Sequence, residues 1–268
     1  MTDPLSPERL QPPTPGQLRR LMGAERLRPR KSLSQNFLTD TGALDAIVEA
    51  AELAAGASVL AVELDSRLAE YLRRELYGVG GFELIEADAL SLHPREMFPG
   101  EPFKVVANIP YHITSPLLHA FLEGERAPEL TVLLVQLEVA ERVAAPPGRM
   151  SYLSVFVQNV AGAEVVARVP AAAFEPAPDV DSAVLRLRRR EAPVVPVGDA
   201  REPFYRVVQA GFRQRRKQVH NGLTRELPVD REVVEAALEA CGIDPERRPQ
   251  TLTVAEWACL AADLGPRL

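Results

Sequence analysis

Apolar positions switch between two periods along the first two thirds of the chain. In "TDTGALDAIVEAAEL", Leu44, Ile47, Val48, Ala51 and Leu53 recur at helical spacing. "SVLAVEL" is a short unbroken apolar run of strand length, and "DSRLAEYLRREL" reads as a helix capped by Asp65 or Ser66. "FELIEA" and "KVVAN" predict two more strands. "SPLLHAFLEG" predicts a helix with Ser115 as cap, Pro116 at the first helical position and Gly124 as stop. "LTVLLVQ" is a buried strand, and "LEVAERVAA" a helix ended by Pro146 and Pro147. "YLSVFVQNVA", "AEVVARV" and "SAVLRLRRR" read as β-rich text. Strand–helix alternation predicts an α/β fold: a parallel, doubly wound sheet with helices on both faces.

The pattern changes after the Pro/Val linker "EAPVVPVGDA". "EPFYRVVQAGFRQRRKQVHNGL" predicts one helix or a broken pair. "VDREVVEAALEACG" has Asp230 as cap and Gly242 as stop, and "TVAEWACLAADLG" opens with Thr253 and Glu256 at capping-box spacing. Trp257 falls on that last helix as a core residue. The expected organisation is a Pro-rich mobile tail over 1–24, an α/β domain over 25–191 and a small helical domain over 192–268.

Composition narrows the class. The 268 residues are 46% hydrophobic, enough for a packed core. There is no apolar run of membrane-spanning length and no signal-peptide core near the first residues, so a cytoplasmic protein without a membrane partner is expected. Cys241 and Cys259 sit in helical text and read as small buried hydrophobes rather than a disulfide framework. The four histidines, His93, His112, His119 and His220, lack metal-ligand spacing, and no metal is expected. The net charge of −6 argues against nucleic acid, but it hides two basic runs. One comprises Arg26, Arg28, Arg30 and Lys31; the other comprises Arg213, Arg215, Arg216 and Lys217. An acidic protein can bind RNA through one such face.

Candidate chemistry lies at three strand ends, where open parallel sheets hold ligands. Glu63 ends "VLAVE", Asp88 follows "FELIEA", and Asn108 ends "KVVAN". Two carboxylates there suit ribose hydroxyls and an adenine amino group, which are hydrogen-bond donors, and so imply a nucleoside-bearing cofactor. Asn108 opens Asn-Ile-Pro-Tyr. An aromatic amine is a poor nucleophile because its lone pair spreads into the ring. The Asn108 oxygen and a backbone carbonyl could hold the amine hydrogens out of plane and localise that pair. Pro110 fixes φ and removes a competing donor, and Tyr111 offers a face on which an unpaired or flipped base could stack. His112 then lines the pocket without acting as a base.

These motifs resemble the ribosomal RNA adenine N6-dimethyltransferase family, and within it the bacterial 16S rRNA branch. The matching stretches are "KSLSQNFLTD", "AVELDSRL", "EADAL", "NIPYHITSPLL", "VQLEVAERVAA", "FEPAPDVDSAVLRL" and "FRQRRKQVHNGL", in family order from about residue 28 onward. The resemblance implies a Rossmann-like methyltransferase domain, a monomer, with a C-terminal helical rRNA-binding domain. It implies S-adenosylmethionine as cofactor and 16S rRNA, in the small ribosomal subunit or its precursor, as partner. Gln35, Asn36 and Leu38 would close over the cofactor. Glu63 would bind its ribose, Asp88 its adenine, and Asn108 both cofactor and target amine. Pro110 and Tyr111 would shape the target pocket, Phe174 would stack on the other side of the base, and Arg213, Arg215, Arg216 and Lys217 would face RNA. A sister enzyme acting on 23S rRNA and a non-catalytic rRNA-binding assembly factor are the alternatives.

The sequence departs from the family at one place. The family carries a strand, a glycine-rich loop and a helix before its "VELD" strand. Here "AELAAG" runs straight into "ASVLAVELD", with the join near Gly56 and Ala57. A strand, loop and helix of that kind take about 20 or more residues. "YGVGGFEL" does not replace them, because it follows a helix and precedes a strand. The sheet is therefore expected to lack a central strand: "SVLAVEL" either leaves a gap or slides into the vacant place. Ser34 stands where the family usually has Gly, a replacement that narrows the backbone conformations allowed there.

Overall fold

The structure is a computed structural model that describes residues 14–25, 27, 29–30, 33–93, 97–123, 127–196 and 198–268. The basic positions Arg26, Arg28 and Lys31, the expected helix stop Gly124 and the first thirteen residues of the expected tail lie outside the described residues.

Contacts divide the chain into two compact units. One comprises Met1–Phe121, Pro128–Leu137 and Val166–Arg186; the other comprises Leu122–Ala127, Glu138–Val165 and Leu187–Leu268. The single boundary expected at 191/192 is thus replaced by an interleaved one, and residues 138–165 go with the helical unit.

In the sheet unit the expected tail is helical over its last ten residues: α1, Pro15–Ala24, starts with a capping box between Thr14 and Gln17. β1 is Phe37–Leu38, α2 Thr41–Ala51, β2 Val59–Glu63, α3 Ser66–Glu75 and β3 Phe82–Glu86. β4 is Lys104–Asn108, α4 Thr114–Leu122 and β5 Leu130–Gln136. A 3₁₀ turn over Tyr111–Ile113 runs directly into α4, so Ser115 lies inside the helix rather than at its cap. Later in the chain come β6, Ala161–Val169, β7, Phe174–Glu175, and β8, Ser182–Arg189.

The strands form three separate ladders. β2 pairs with β3 in parallel, from Val59 opposite Phe82 to Glu63 opposite Glu86. β4 pairs with β5 in parallel, within the order β4-β5-β8-β6. β1 pairs with β7 antiparallel. β5 is apolar along nearly its whole length and buried on both faces, as an interior parallel strand must be. β2 is not hydrogen-bonded to β4. Of the two ways to accommodate the short sequence, the chain leaves the gap, and the Rossmann-like sheet is interrupted at its centre.

The helical unit contains α5, Leu137–Val143, except for its first residue, together with α6, Tyr152–Val160, and α7, Arg201–Arg213. It also contains α8, Val219–Glu226, α9, Arg231–Ala240, and α10, Val254–Leu264. The "EPFYRVVQ…" stretch is therefore a broken pair. "YLSVFVQNV", read as β-rich, is helix α6, opened by a capping box between Ser151 and Ser154. Its apolar residues are buried nearly all round, and a helix of that kind shows the same continuous apolar run as a buried strand. The core gathers on Trp257, Phe204, Leu223, Leu238 and Leu260. Gly211 on α7 lets α10 approach: a Cβ there would sit 2.4 Å from Trp257 Cη2. The Pro/Val linker is docked. Val195 donates to Asn159 Oδ1 at 2.8 Å, and Asn159 lies fully buried.

Cys241 and Cys259 form a disulfide, which corrects their reading as separate buried thiols. They stand 18 residues apart in sequence. The packing of α9 and α10 brings their Cα atoms to 5.9 Å, a proximity that spacing alone does not reveal.

Candidate active site

The acidic strand ends emerge side by side because β2 and β3 are in register. Glu63 accepts from the Asp65 amide at 2.7 Å, which directs its carboxylate back across the β2–α3 turn. An apolar cavity of about 260 Å³ opens beside Glu63, walled by Leu18 and Met22 of α1, Phe37, and Leu68 and Tyr71 of α3. Asp88 is exposed. One oxygen caps the 3₁₀ turn Ala89–Ser91 through the Leu90 amide at 2.9 Å.

Asp65 ties this corner together. Its carboxylate is buried and takes hydrogen bonds from Arg67 at 2.6 and 3.0 Å, from the Arg67 amide at 3.1 Å and from Gln35 Nε2 at 3.1 Å. The Arg67 guanidinium holds it far below the usual carboxylate range, against the opposing pull of burial, and Gln35 adds to the effect. Sequence reasoning treated Asp65 only as a helix cap, a role it also fills; its grip on a segment 30 residues upstream has no local signature.

That segment joins the two halves of the interrupted sheet. Gln35 reaches Asp65 beyond β2, while the Asn36 carbonyl accepts from Asn108 Nδ2 at the end of β4 at 3.3 Å. Two adjacent residues thus bridge the carboxyl ends of β2 and β4. Gln35 Oε1 is held in turn by the Arg30 amide at 2.8 Å. Ser34, just before, has φ +49°, a left-handed conformation that glycine adopts more readily than serine. With its amide nitrogen so engaged, exposed Asn108 keeps its side-chain oxygen as an acceptor.

Pro110 has φ −55° and starts the turn that carries Tyr111. The Tyr111 hydroxyl shares a hydrogen bond with Ser182 Oγ at 2.8 Å, and Ser182 is fully buried on β8. This anchor fixes the ring and was not foreseen: Ser182 lies 71 residues away, at the start of a stretch read only as β-rich and as part of a family motif. His112 is exposed.

Phe174 is a correction. It was expected to stack on a target base, but only 4% of its surface is exposed. It pairs with Leu38 across β1–β7 and packs in the core with Ala43, Leu130 and Val184, so its ring has no open face. Its contribution here is to seat the Gln35–Leu38 segment on the sheet unit. Leu38 likewise packs against that core.

In the helical unit, Arg213 ends α7 and pairs with Glu226 at 3.2 Å. Arg215, Arg216 and Lys217 are exposed in the turn before α8, and among the described residues they make no ion pair. No cluster of metal-binding side chains and no helix long and apolar enough to cross a membrane occurs among the described residues.

Comparison with known proteins gives a consistent answer. The family described as ribosomal RNA adenine dimethylase matches residues 54–263. Proteins named ribosomal RNA small subunit methyltransferase A are similar over most of their length. One from Dehalococcoides mccartyi strain 195 is 36% identical, covering 91% of this chain and 91% of its own. One from Bacillus cytotoxicus is 38% identical, covering 88% and 91%. Among solved structures, the 23S rRNA methyltransferase ErmE aligns with TM-score 0.68 and 33% identity, over 86% of this chain and all of its own. A dimethyladenosine transferase from Plasmodium falciparum aligns with TM-score 0.71 at 22% identity, which speaks to the fold. The D. mccartyi alignment spans 266 positions, whereas 91% of 268 residues is about 244, so about 22 of its positions have no counterpart here. The family match begins at Ala54, next to the join at Gly56 and Ala57. By its family match over residues 54–263 and by its relatives of 36% and 38% identity, this chain belongs to the ribosomal RNA adenine dimethylase family of enzymes.

Proposed function

We propose that this chain transfers methyl groups from S-adenosylmethionine to the N6 amines of two adjacent adenines in the 3′-terminal hairpin of 16S rRNA, on the small ribosomal subunit or its precursor. The observation that carries the reading is the Asn108 side chain. Its nitrogen donates to the Asn36 carbonyl, so its oxygen is the group left to accept from a target amine at the end of β4.

The donor set suits the nucleoside half of the cofactor. Glu63 and Asp88 present carboxylate oxygens at neighbouring strand ends, Glu63 for ribose hydroxyls and Asp88 for the adenine amino group. The chain supplies no glycine-rich cradle for the methionine half. When bound, the cofactor supplies a methyl group on a positively charged sulfur, which a weak nucleophile can attack. The residues of the chain do the rest. Asn108 holds the target amine with its lone pair localised, and Pro110 keeps a competing donor out of the turn. Tyr111, held by Ser182, offers a fixed aromatic face to the base. His112 is exposed and is not needed as a base. Arg213, Arg215, Arg216 and Lys217 give the helical unit a cationic face for the RNA backbone, cytoplasmic rRNA being the expected partner.

The interrupted sheet favours a second reading, an rRNA-binding assembly factor without methyl transfer. Calorimetric titration with S-adenosylmethionine, followed by methyl incorporation into undermethylated small subunits, separates the two. Micromolar cofactor binding with label in the 16S hairpin is the expected result. Retained hairpin binding by a folded chain that takes up no cofactor establishes the second reading, and label in 23S rRNA instead overturns the choice of substrate.

A further inference from the structure

Asn108 and Tyr111 stand three residues apart on one segment, yet each is held from elsewhere in the sheet unit. Tyr111 is held from β8, where its hydroxyl meets the fully buried Ser182 Oγ at 2.8 Å. Asn108 is held from the 36–39 segment, through the Asn36 carbonyl. That segment is fastened in turn to the 3₁₀ turn Ala171–Ala173. The Thr39 amide and hydroxyl both donate to the Ala173 carbonyl, at 2.8 and 3.1 Å, and β7 pairs with β1 directly after the turn. The turn itself is capped by Asp181, whose Oδ1 accepts from the Ala171 amide at 2.9 Å. Asp181 is also tied to the end of β5, because its carbonyl accepts from the Leu137 amide at 3.0 Å. The two supports therefore meet on adjacent residues, Asp181 and Ser182, where β8 begins.

We infer that Asp181 and Ser182 are positioning residues for methyl transfer. Ser182 sets the ring of Tyr111. Asp181, through the 171–173 turn and the 36–39 segment, sets the acceptor of Asn108. This role rests on the reading of Asn108 and Tyr111 given above, and adds what fixes one against the other. The amine held by Asn108 and the base stacked on Tyr111 belong to the same adenine. An error in either support therefore moves the attacking nitrogen, and a displacement of about 1 Å costs about 100-fold in rate. The choice of serine fits this role. Ala183, Val184 and Leu185 follow it on β8, all fully buried, and an apolar residue would suit its own burial as well. A hydroxyl there costs free energy unless it is bonded, and its partner is the Tyr111 hydroxyl. Asp181 is exposed, so its carboxylate serves as a cap on the turn and not as a buried charge.

The test compares Ser182→Ala, Asp181→Ala and Asp181→Asn in the full chain, with S-adenosylmethionine and undermethylated small subunits as substrates. Ser182→Ala and Asp181→Ala are each expected to lower kcat about tenfold and to leave both KM values within about twofold. Asp181→Asn keeps an acceptor oxygen for the Ala171 amide and is expected to restore turnover. Hydrogen exchange reads the supports without any turnover. It should become about tenfold faster at 36–39 and 171–173 in Asp181→Ala, and at 111–113 in Ser182→Ala, with 130–136 unchanged. Unchanged kcat in a chain whose wild type methylates, an equal loss in Asp181→Asn, or faster exchange spreading into β5 would overturn the positioning role. A wild type that transfers no methyl group, with the exchange changes as expected, would instead overturn the roles of Asn108 and Tyr111 on which it rests.

Discussion

The two units of this chain finish their interiors to different degrees. In the helical unit the large side chains Trp257, Phe204, Leu223 and Leu238 are wholly buried. Its buried Asn159 is bonded at both ends of its amide, to Val195 and Tyr205. The α10 capping box is reinforced by Arg247 on Glu256. The sheet unit is as tight around β5 and β8 but open between β2 and β4, and its candidate site groups sit at the rim of that opening. The tightest packing and the opening beside the candidate cofactor site thus lie in different parts of the chain.

Four substitutions test that division. Trp257→Ala should be the most damaging, removing about 3–5 kcal/mol from the helical unit. The denaturant midpoint of that unit should fall while exchange in β5 stays slow; a collapse of both units together would deny their independence. Asn108→Ala should reduce methyl transfer about 100-fold or more, as loss of a group that holds reacting charge does, and leave hairpin affinity and folding unchanged. Full turnover in this variant would remove Asn108 from the site.

Asp65→Asn should loosen residues 34–36 by about 2 kcal/mol, read as faster exchange there and weaker cofactor binding. The pH dependence has a definite sign. The Asp65 pKa is depressed in the folded state, so its stabilisation is complete above the ordinary carboxylate range and lost as pH falls through that lowered value. Wild type should therefore keep the 34–36 segment ordered into strongly acidic solution, and the Asn variant should lack that acid-dependent loss. Ser34→Gly should have the smallest effect, a gain of up to about 1 kcal/mol from relieving a left-handed serine. A loss of stability would mean that the Ser34 side chain contributes more than its backbone costs.

Alkaline solution distinguishes the units further. Burial, with Tyr205 and Glu123 adding to it, pushes the Tyr152 phenol up to about 12. A raised pKa stabilises the fold below the unfolded value, and that contribution is lost between about 10 and about 12. The helical unit should weaken over that window.

Much of the sheet unit was legible because periodicity and local capping write themselves into short stretches. β2, β3, β4 and β5 stand where their apolar runs lie, and Asp65 caps the helix that follows β2. Even the interruption was readable as one of two outcomes, from a join with no room for a strand. What escaped was long-range. Helix α6 is buried on nearly every side and so lost its amphipathic stripe. The disulfide, the Tyr111–Ser182 bond and the Asp65–Gln35 bond link residues 18 to 71 positions apart, and nothing local announces them. Phe174 differs in kind: its stacking role came only from the family resemblance, and its strand pairing turns the ring inward.

Trp257 is the single tryptophan of the chain, and it lies in the centre of one unit. Its emission is therefore a built-in optical address. Under excitation selective for indole, the protein reports only on its helical half, while tyrosine and far-ultraviolet signals report on both. Divergence between these colours on heating or in denaturant would resolve two melting events in an unlabelled sample, where a single-probe curve would average them into one.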